Sequence, residues 1–198
     1  MDRGQTAPKA GPLIVVSGPS GVGKTTVVDA LLKSTDLPLR RAITATTRAP
    51  RSGEIAGTSY HFWSREEFEE AIASGKMFEY ARVFGTDLYG TPRDEVEPFR
   101  AQEKGVILVI DVQGAARVRE LHGGDCYSIF ITPPSFAELE ARLRGRGDLT
   151  EDRIQRRLAT AREELARKNE FDNVIINANL QQAVRELERL IQAQFTAR

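Results

Sequence analysis

Leu13-Ile-Val-Val-Ser17, followed at once by Gly18-Pro-Ser-Gly-Val-Gly-Lys-Thr25, is the stretch that decides the fold. The first five residues are mostly β-branched and apolar, a pattern that predicts a buried strand. The next eight match G-x-x-x-x-G-K-[ST]. Glycines there let the backbone wind tightly and turn successive N–H groups toward a bound phosphate. Lys24 is placed to reach the β- and γ-phosphates, and the Thr25 hydroxyl suits Mg²⁺. Val27, Val28, Leu31 and Leu32 follow at helical spacing, so the loop opens a helix whose N-terminus adds a positive dipole end.

Val106–Ile110, Tyr127–Ile131 and Val174–Ile176 are further continuous apolar runs. Such runs, with helical patterns between them, predict an α/β protein whose parallel sheet is covered on both faces. Ser64-Arg-Glu-Glu67 and Ser135-Phe-Ala-Glu138 have the form of capping boxes, and Asn179-Leu-Gln-Gln182 resembles a third. Thr91-Pro92 reads as an N-cap before a first-turn proline. The last helix sets Leu180, Val184, Leu187, Ile191 and Phe195 on one face. Residues 42–94 break the strand–helix rhythm with alternating pieces (Tyr60–Trp63, Met77–Val83) and read as an inserted subdomain; residues 136–159, rich in Arg and Gly, read as a mobile lid. The core is then 13–41, 95–135 and 160–198.

The 198 residues suit one compact domain, with 28 basic and 28 acidic residues. A balanced charge argues against a protein that coats nucleic acid or a membrane surface. The lone Cys126 precludes an intrachain disulfide, which fits a reducing, cytoplasmic setting. No apolar run approaches the roughly 20 residues of a membrane span, and residues 1–12 read as a polar disordered tail. His61 and His122 are too few and too separated for a metal site.

Val106-Ile-Leu-Val-Ile-Asp111 places an acid at a strand's C-terminal edge, beside the phosphate loop, where it can hold Mg²⁺ or its waters. A GTPase is disfavoured, because the D-x-x-G-like Asp111–Gly114 has no N-K-x-D partner in the chain. An ATPase motor is disfavoured because Val112, not an acid, follows Asp111. Many arginines stand at spaced positions outside the loop instead. Transfer between two phosphorylated substrates needs them, since positioning and cationic stabilisation carry most of that catalysis.

Ser17–Thr25, Thr46-Thr-Arg-Ala-Pro-Arg51, Gly53-Glu54, Gly57, Tyr60-His-Phe62, Phe78-Glu79, Tyr89-Gly-Thr91, Ile110–Gly114, Pro133-Pro-Ser135, Arg142-Leu-Arg-Gly-Arg-Gly147 and Arg157-Leu158 resemble, in order, the motifs of the guanylate kinases. The resemblance spans about residues 13–195. It implies a phosphate-loop NTPase fold in three layers around a five-stranded parallel sheet, with a GMP-binding subdomain (42–94) and a helical lid (136–159). It implies transfer from ATP to GMP with Mg²⁺. ATP would be held by Gly18, Pro19, Ser20, Gly21, Val22, Gly23, Lys24, Thr25 and Thr26, with Asn177 near the adenine. Arg48 and Arg51, helped by Tyr60 and Tyr89, would grip the GMP phosphate, as planar guanidinium forks do well. Glu79, Thr44 and Thr91 would read guanine, whose N1–H and N2 amino group one carboxylate can accept together, and Asp111 would also lie at the GMP site. Lys24, Arg48, Arg142, Arg146 and Arg157 would stabilise the transferring charge, and Thr25 and Asp111 would face the metal.

The chain departs from the family pattern in three places. Val109 stands where an acid is common, the stretch from Glu79 to Tyr89 is one residue longer through Gly85–Leu88, and Ala178 replaces a frequent acid. The expected protein is a cytoplasmic monomer or weak homo-oligomer with ATP and GMP as ligands, and with neither nucleic-acid nor membrane partners. A kinase of AMP or dTMP, and a non-catalytic guanylate-kinase-like interaction module, are the alternatives. Retention of Lys24, Arg48 and Arg51 argues against the module.

Overall fold

The structure is a computed structural model that describes residues 10–83, 87–145 and 150–196. Strands β1 (Leu13–Ser17), β2 (Leu39–Arg41), β7 (Gly105–Val109), β8 (Cys126–Thr132) and β9 (Asn173–Ile176) form a parallel sheet in the order β2-β7-β1-β8-β9. This is the five-stranded parallel sheet the sequence leads one to expect. β2 carries no apolar run because it is a half-buried edge strand, LRR in sequence. Along β1, Ile14 and Val16 join one apolar cluster, while Leu13 and Val15 join another on the opposite face. The strand is apolar throughout because both of its faces are covered.

The first cluster is closed by α1 (Lys24–Ser34), α5 (Phe136–Arg144), α6 (Glu151–Ala166) and α7 (Leu180–Thr196), which contribute Val28, Leu139, Leu158 and Leu187 among others. The second is closed by α4 (Val112–His122), through Ala115 and Val118, with Phe99 of the short α3 (Glu97–Arg100) packed against it. Leu139 and Leu143 of α5 are fully buried, as Leu158 of α6 nearly is, so both helices are rooted in the main core on their apolar sides. In α7, Leu180 is 41% exposed and departs from the expected apolar face; Ala183 and Leu190 are buried instead.

A second sheet, ordered β4-β3-β6-β5, lies within residues 42–94: β3 (Ala45–Thr46), β4 (His61–Phe62), β5 (Met77–Val83) and β6 (Asp87–Pro92). Ala45, Phe68, Ala71, Met77 and Leu88 give it a separate small core beneath α2 (Arg65–Ala73). Of the anticipated capping boxes, Ser64–Glu67 is complete. Ser135 accepts from Glu138 N, but the Glu138 carboxylate turns to Arg142. Asn179 accepts from Gln182 N. Thr91-Pro92 does not cap a helix; it ends β6, because Thr91 pairs with Glu79 across the ladder. Gly11 and Pro12, read from sequence as tail, are buried. Gly11 N donates to Arg100 O at 2.7 Å, and Arg100 Nε donates to Gly11 O at 2.8 Å.

Candidate active site

A cleft of about 540 Å³ opens between the C-terminal ends of the central strands, the second sheet and α6. Ser20, Gly21 and Gly23 line it from the loop between β1 and α1, and Lys24, Thr25 and Thr26 from the first turn of α1. Gly18, Gly21 and Gly23 hold φ of 139°, 89° and 96°. A side chain there is strained and also blocked: a Cβ on Gly18 would lie 2.1 Å from Ile131 O, and one on Gly21 2.7 Å from Leu143 Cδ2. Lys24 Nζ donates to Gly18 O at 2.6 Å and Pro19 O at 3.1 Å, which folds the lysine back over its own loop.

Val22 is fully buried and serves as the loop's anchor. Asn177 Nδ2 donates to Val22 O at 2.8 Å, and Arg142 Nη2 donates to Asn177 O at 3.0 Å. Asn177 and Arg142 therefore brace the loop from beneath, and neither is among the described residues lining the cleft. Arg157, from α6, does line it. Arg146 lies outside the described residues.

Across the cleft, Arg48 sits in a dense polar arrangement. Its Nη1 and Nη2 donate to Glu54 Oε2 and Oε1, both at 2.9 Å, in a fork-to-fork pair. Its Nε donates to Tyr89 Oη at 3.0 Å, and its guanidinium carbon stands 5.4 Å from the Tyr60 ring centroid. Burial opposes the arginine's charge, but Glu54 and Tyr89 outweigh it and hold the cation more firmly than usual. Burial likewise opposes the Glu54 charge, yet Arg48 and the Arg51 backbone N–H, 2.7 Å from Oε2, keep that carboxyl below its ordinary range. Burial pushes the Tyr60 phenol up. Arg51 and Thr44 line the same cleft. The Glu54 partnership was not legible in the sequence, where the residue is only part of a Gly-Glu pair in a loop.

Glu79 is 2% exposed, and its Oε1 accepts from the Thr91 hydroxyl at 2.7 Å. The two residues are directly paired on β5 and β6, and the register shifts between Met77 and Glu79. A bulge at Phe78 thus precedes the carboxylate and turns it toward the cleft, as bulges beside active sites do. His122 stacks on Phe78 with ring centroids 3.9 Å apart, so α4 grips the strand at that bulge. Burial pushes the Glu79 carboxyl up to about 7, Thr91 pulls the other way, and Asp111 adds to the rise. Thr91 is fully buried and is not among the described lining residues; it orients Glu79. Gly114 completes this wall, since a Cβ there would lie 3.2 Å from Glu79 Oε2.

Asp111 lies beyond β7 and caps α4, its Oδ1 accepting from Gly114 N at 2.8 Å. It lines the cleft with Thr25, as does Val109. Among the described residues no three or more His, Cys, Asp or Glu side chains cluster as a metal cage. The donor set suits Mg²⁺ nonetheless, because that ion prefers one or two carboxylates together with phosphates and water. Sequence reasoning also missed Glu164 of α6, a buried carboxylate on the cleft wall. Burial, opposed by attraction from Lys24 and reinforced by repulsion from Asp111, pushes it up to about 6.

A glycine loop between strand and helix, at the C-terminal edge of a parallel sheet and facing an arginine-lined second sheet, defines a phosphate-loop nucleotide-binding protein. The family model described as "Guanylate kinase" matches residues 10–194. A guanylate kinase of Synechococcus sp. (strain CC9902) is 50% identical over 93% of this chain and 97% of its own length. One from Idiomarina loihiensis is 44% identical over 95% of this chain and 89% of its own. The crystal structure of guanylate kinase from Anaplasma phagocytophilum superposes with a TM-score of 0.79 at 33% identity, covering 94% of this chain and 87% of that one. The chain belongs to the guanylate kinase family.

Proposed function

We propose that this protein transfers the γ-phosphoryl group of ATP to GMP, giving ADP and GDP. A GMP phosphate oxygen attacks Pγ, the bond from Pγ to the β,γ-bridging oxygen breaks, and that oxygen leaves with ADP. The observation that carries the reading is the meeting, in one cleft, of the phosphate loop with Arg48, Arg51, Tyr60, Tyr89 and the buried Glu79. One wall suits a triphosphate, and the other suits a monophosphate joined to a base with two adjacent donors.

Gly18–Thr26 cradle the ATP phosphates, and Lys24 swings from Gly18 O toward the transferring group as ATP enters. Arg48 and Arg51 neutralise the acceptor phosphate, Tyr60 and Tyr89 donate to it, and Arg157 covers the migrating charge from α6. Glu79 Oε2, with Oε1 fixed by Thr91, accepts from the guanine edge, while Thr44 lies beside it. Adenine lacks that donor pair and would leave the carboxylate unsatisfied in a buried setting. Asp111 and the Thr25 hydroxyl would hold a Mg²⁺ ion that arrives with ATP and offsets phosphate charge. Base and phosphate are the parts read, so dGMP is expected as a second acceptor. The role is recycling of purine monophosphates in the cytoplasm, by a monomer or weak oligomer without nucleic-acid or membrane partners; no helix among the described residues is long and apolar enough to cross a membrane.

The test is an ADP-release assay against GMP, dGMP, AMP, dTMP and CMP, with Lys24→Ala as the control for the loop. Turnover with GMP and dGMP alone, abolished in the control, is the expected result. Equal turnover with AMP would remove Glu79 as the base reader, and absence of turnover with every acceptor would leave a nucleotide-binding module.

A further inference from the structure

Glu164 lies on the face of α6 that buries Ile154, Leu158 and Ala161. It is 8% exposed, its Oε2 has no hydrogen-bond partner among the described residues, and it lines the cleft beside Lys24, Thr25 and Asp111. The Ser20 N–H of the phosphate loop acts on the same carboxylate. Leaving a buried charge incompletely paired is costly. Here the cost is compounded, because the cavity it faces is suited to a polyphosphate of the same sign.

Asp111 at the head of α4 and Glu164 on α6 add two carboxylates to a cleft suited to a triphosphate; Lys24 and Arg157 line it and offset part of that charge, and a cation seated between carboxylates and phosphates would offset more. Val109, which lines the cleft two residues before Asp111, offers no ligand. A cation bound by one or two carboxylates, a hydroxyl, phosphate oxygens and water is the ordinary manner of Mg²⁺.

We propose that Glu164 is part of the protein's seat for the divalent cation, completing with Asp111 and Thr25 the side that faces the nucleotide phosphates, by direct ligation or through a cation-bound water. The proposal rests on reading the cleft as an ATP site. It assigns Glu164 to the cation rather than to the nucleotide, and that makes the two readings separable.

The experiment uses the full chain, Mn²⁺ as a paramagnetic probe, and the β,γ-imido analogue of ATP. Electron paramagnetic resonance measures Mn²⁺ affinity in the ternary complex, and calorimetry in chelator measures metal-free nucleotide affinity. Glu164→Gln is expected to weaken Mn²⁺ about tenfold, in the range of groups that support a metal's ligands. Metal-free nucleotide affinity should be unchanged or tighter, since a repelling charge has gone. Glu164→Asp, which keeps the charge and retracts it by one methylene, should weaken Mn²⁺ in the same selective way and serves where Gln is not tolerated. Unchanged Mn²⁺ affinity in a folded variant overturns the proposal. So does an equal loss of nucleotide affinity with and without metal, which marks mere support of the loop. If the wild-type chain binds the analogue neither with Mn²⁺ nor without it, the ATP-site reading itself falls and takes this proposal with it.

Discussion

The Thr91 hydroxyl donates a 2.7 Å hydrogen bond to Glu79 Oε1, and both side chains are buried. The bond fixes one carboxylate oxygen and leaves the other directed past Gly114. Thr91→Val should leave Oε1 unsatisfied, cost about 1–3 kcal/mol of stability, and loosen base selection about tenfold by releasing the carboxylate. Glu79→Gln should act more directly, cutting the ratio of kcat/KM for GMP over AMP by on the order of a hundredfold or more. Steady-state kinetics on both acceptors check the pair; a selectivity ratio untouched by Glu79→Gln refutes the assignment.

The same carboxyl makes stability depend on pH. Burial raises it from 4.5 to about 7 in the folded chain. Between those values the folded state holds a proton that the unfolded state has released, so stability falls as pH rises through this window. The loss is complete above about 7 and amounts to about 3 kcal/mol. Urea titrations of wild-type and Glu79→Gln chains without ligand, at about pH 5 and about pH 8, should show the variant gaining relative to wild type at the higher pH. Parallel behaviour of the two chains would mean that Glu79 is ionised in both states.

Gly114→Ala tests the wall behind the base. The added Cβ meets Glu79 Oε2 at 3.2 Å and Ile110 Cβ at 3.3 Å, in a helix where alanine is otherwise favoured. Thr91 limits how far the carboxylate can retreat. KM for GMP should therefore rise about tenfold, as expected when a positioned polar contact worth about 1.4 kcal/mol is lost, with KM for ATP unchanged and the melting temperature close to wild type. Equal rises for both substrates would point to general distortion.

Glu54 is expected to matter without touching the transferred group. It holds both Nη atoms of Arg48 at 2.9 Å, so that Tyr89 and Arg48 present a preset cation. Glu54→Gln should raise KM for GMP by about tenfold, from the loss of a charge-assisted fork worth about 1.5–3 kcal/mol, while the ATP parameters hold. Isothermal titration with GMP alone checks it, and unaltered GMP affinity would return Glu54 to the role of a loop residue.

Local patterns were readable where the needed contacts are close in sequence. The β1 strand, the glycine loop and α1 follow from thirty contiguous residues or fewer, and the Ser64–Glu67 cap spans four. Arg48, Arg51, Arg157 and Glu79 are singled out by the resemblance of ordered motifs, and the fold brings these four to one cleft. Thr91 was misread as a helix cap, because its partner lies twelve residues earlier on a paired strand. Asn177, which the resemblance sets near the adenine, also holds Val22 O from 155 residues away, a contact that no local pattern shows. Glu164 looked like one more acid on a polar helix, since only packing decides which face of α6 is closed off.

The chain's own order of residues determined that a strand must run into a phosphate-cradling loop, because backbone torsions and apolar periodicity act between near neighbours. Tertiary structure alone decided which carboxylates lose their water, which arginines are clamped and which hydroxyls orient them. Desolvation and hydrogen-bond geometry depend on what distant segments bring within a few ångströms, and no local pattern encodes that.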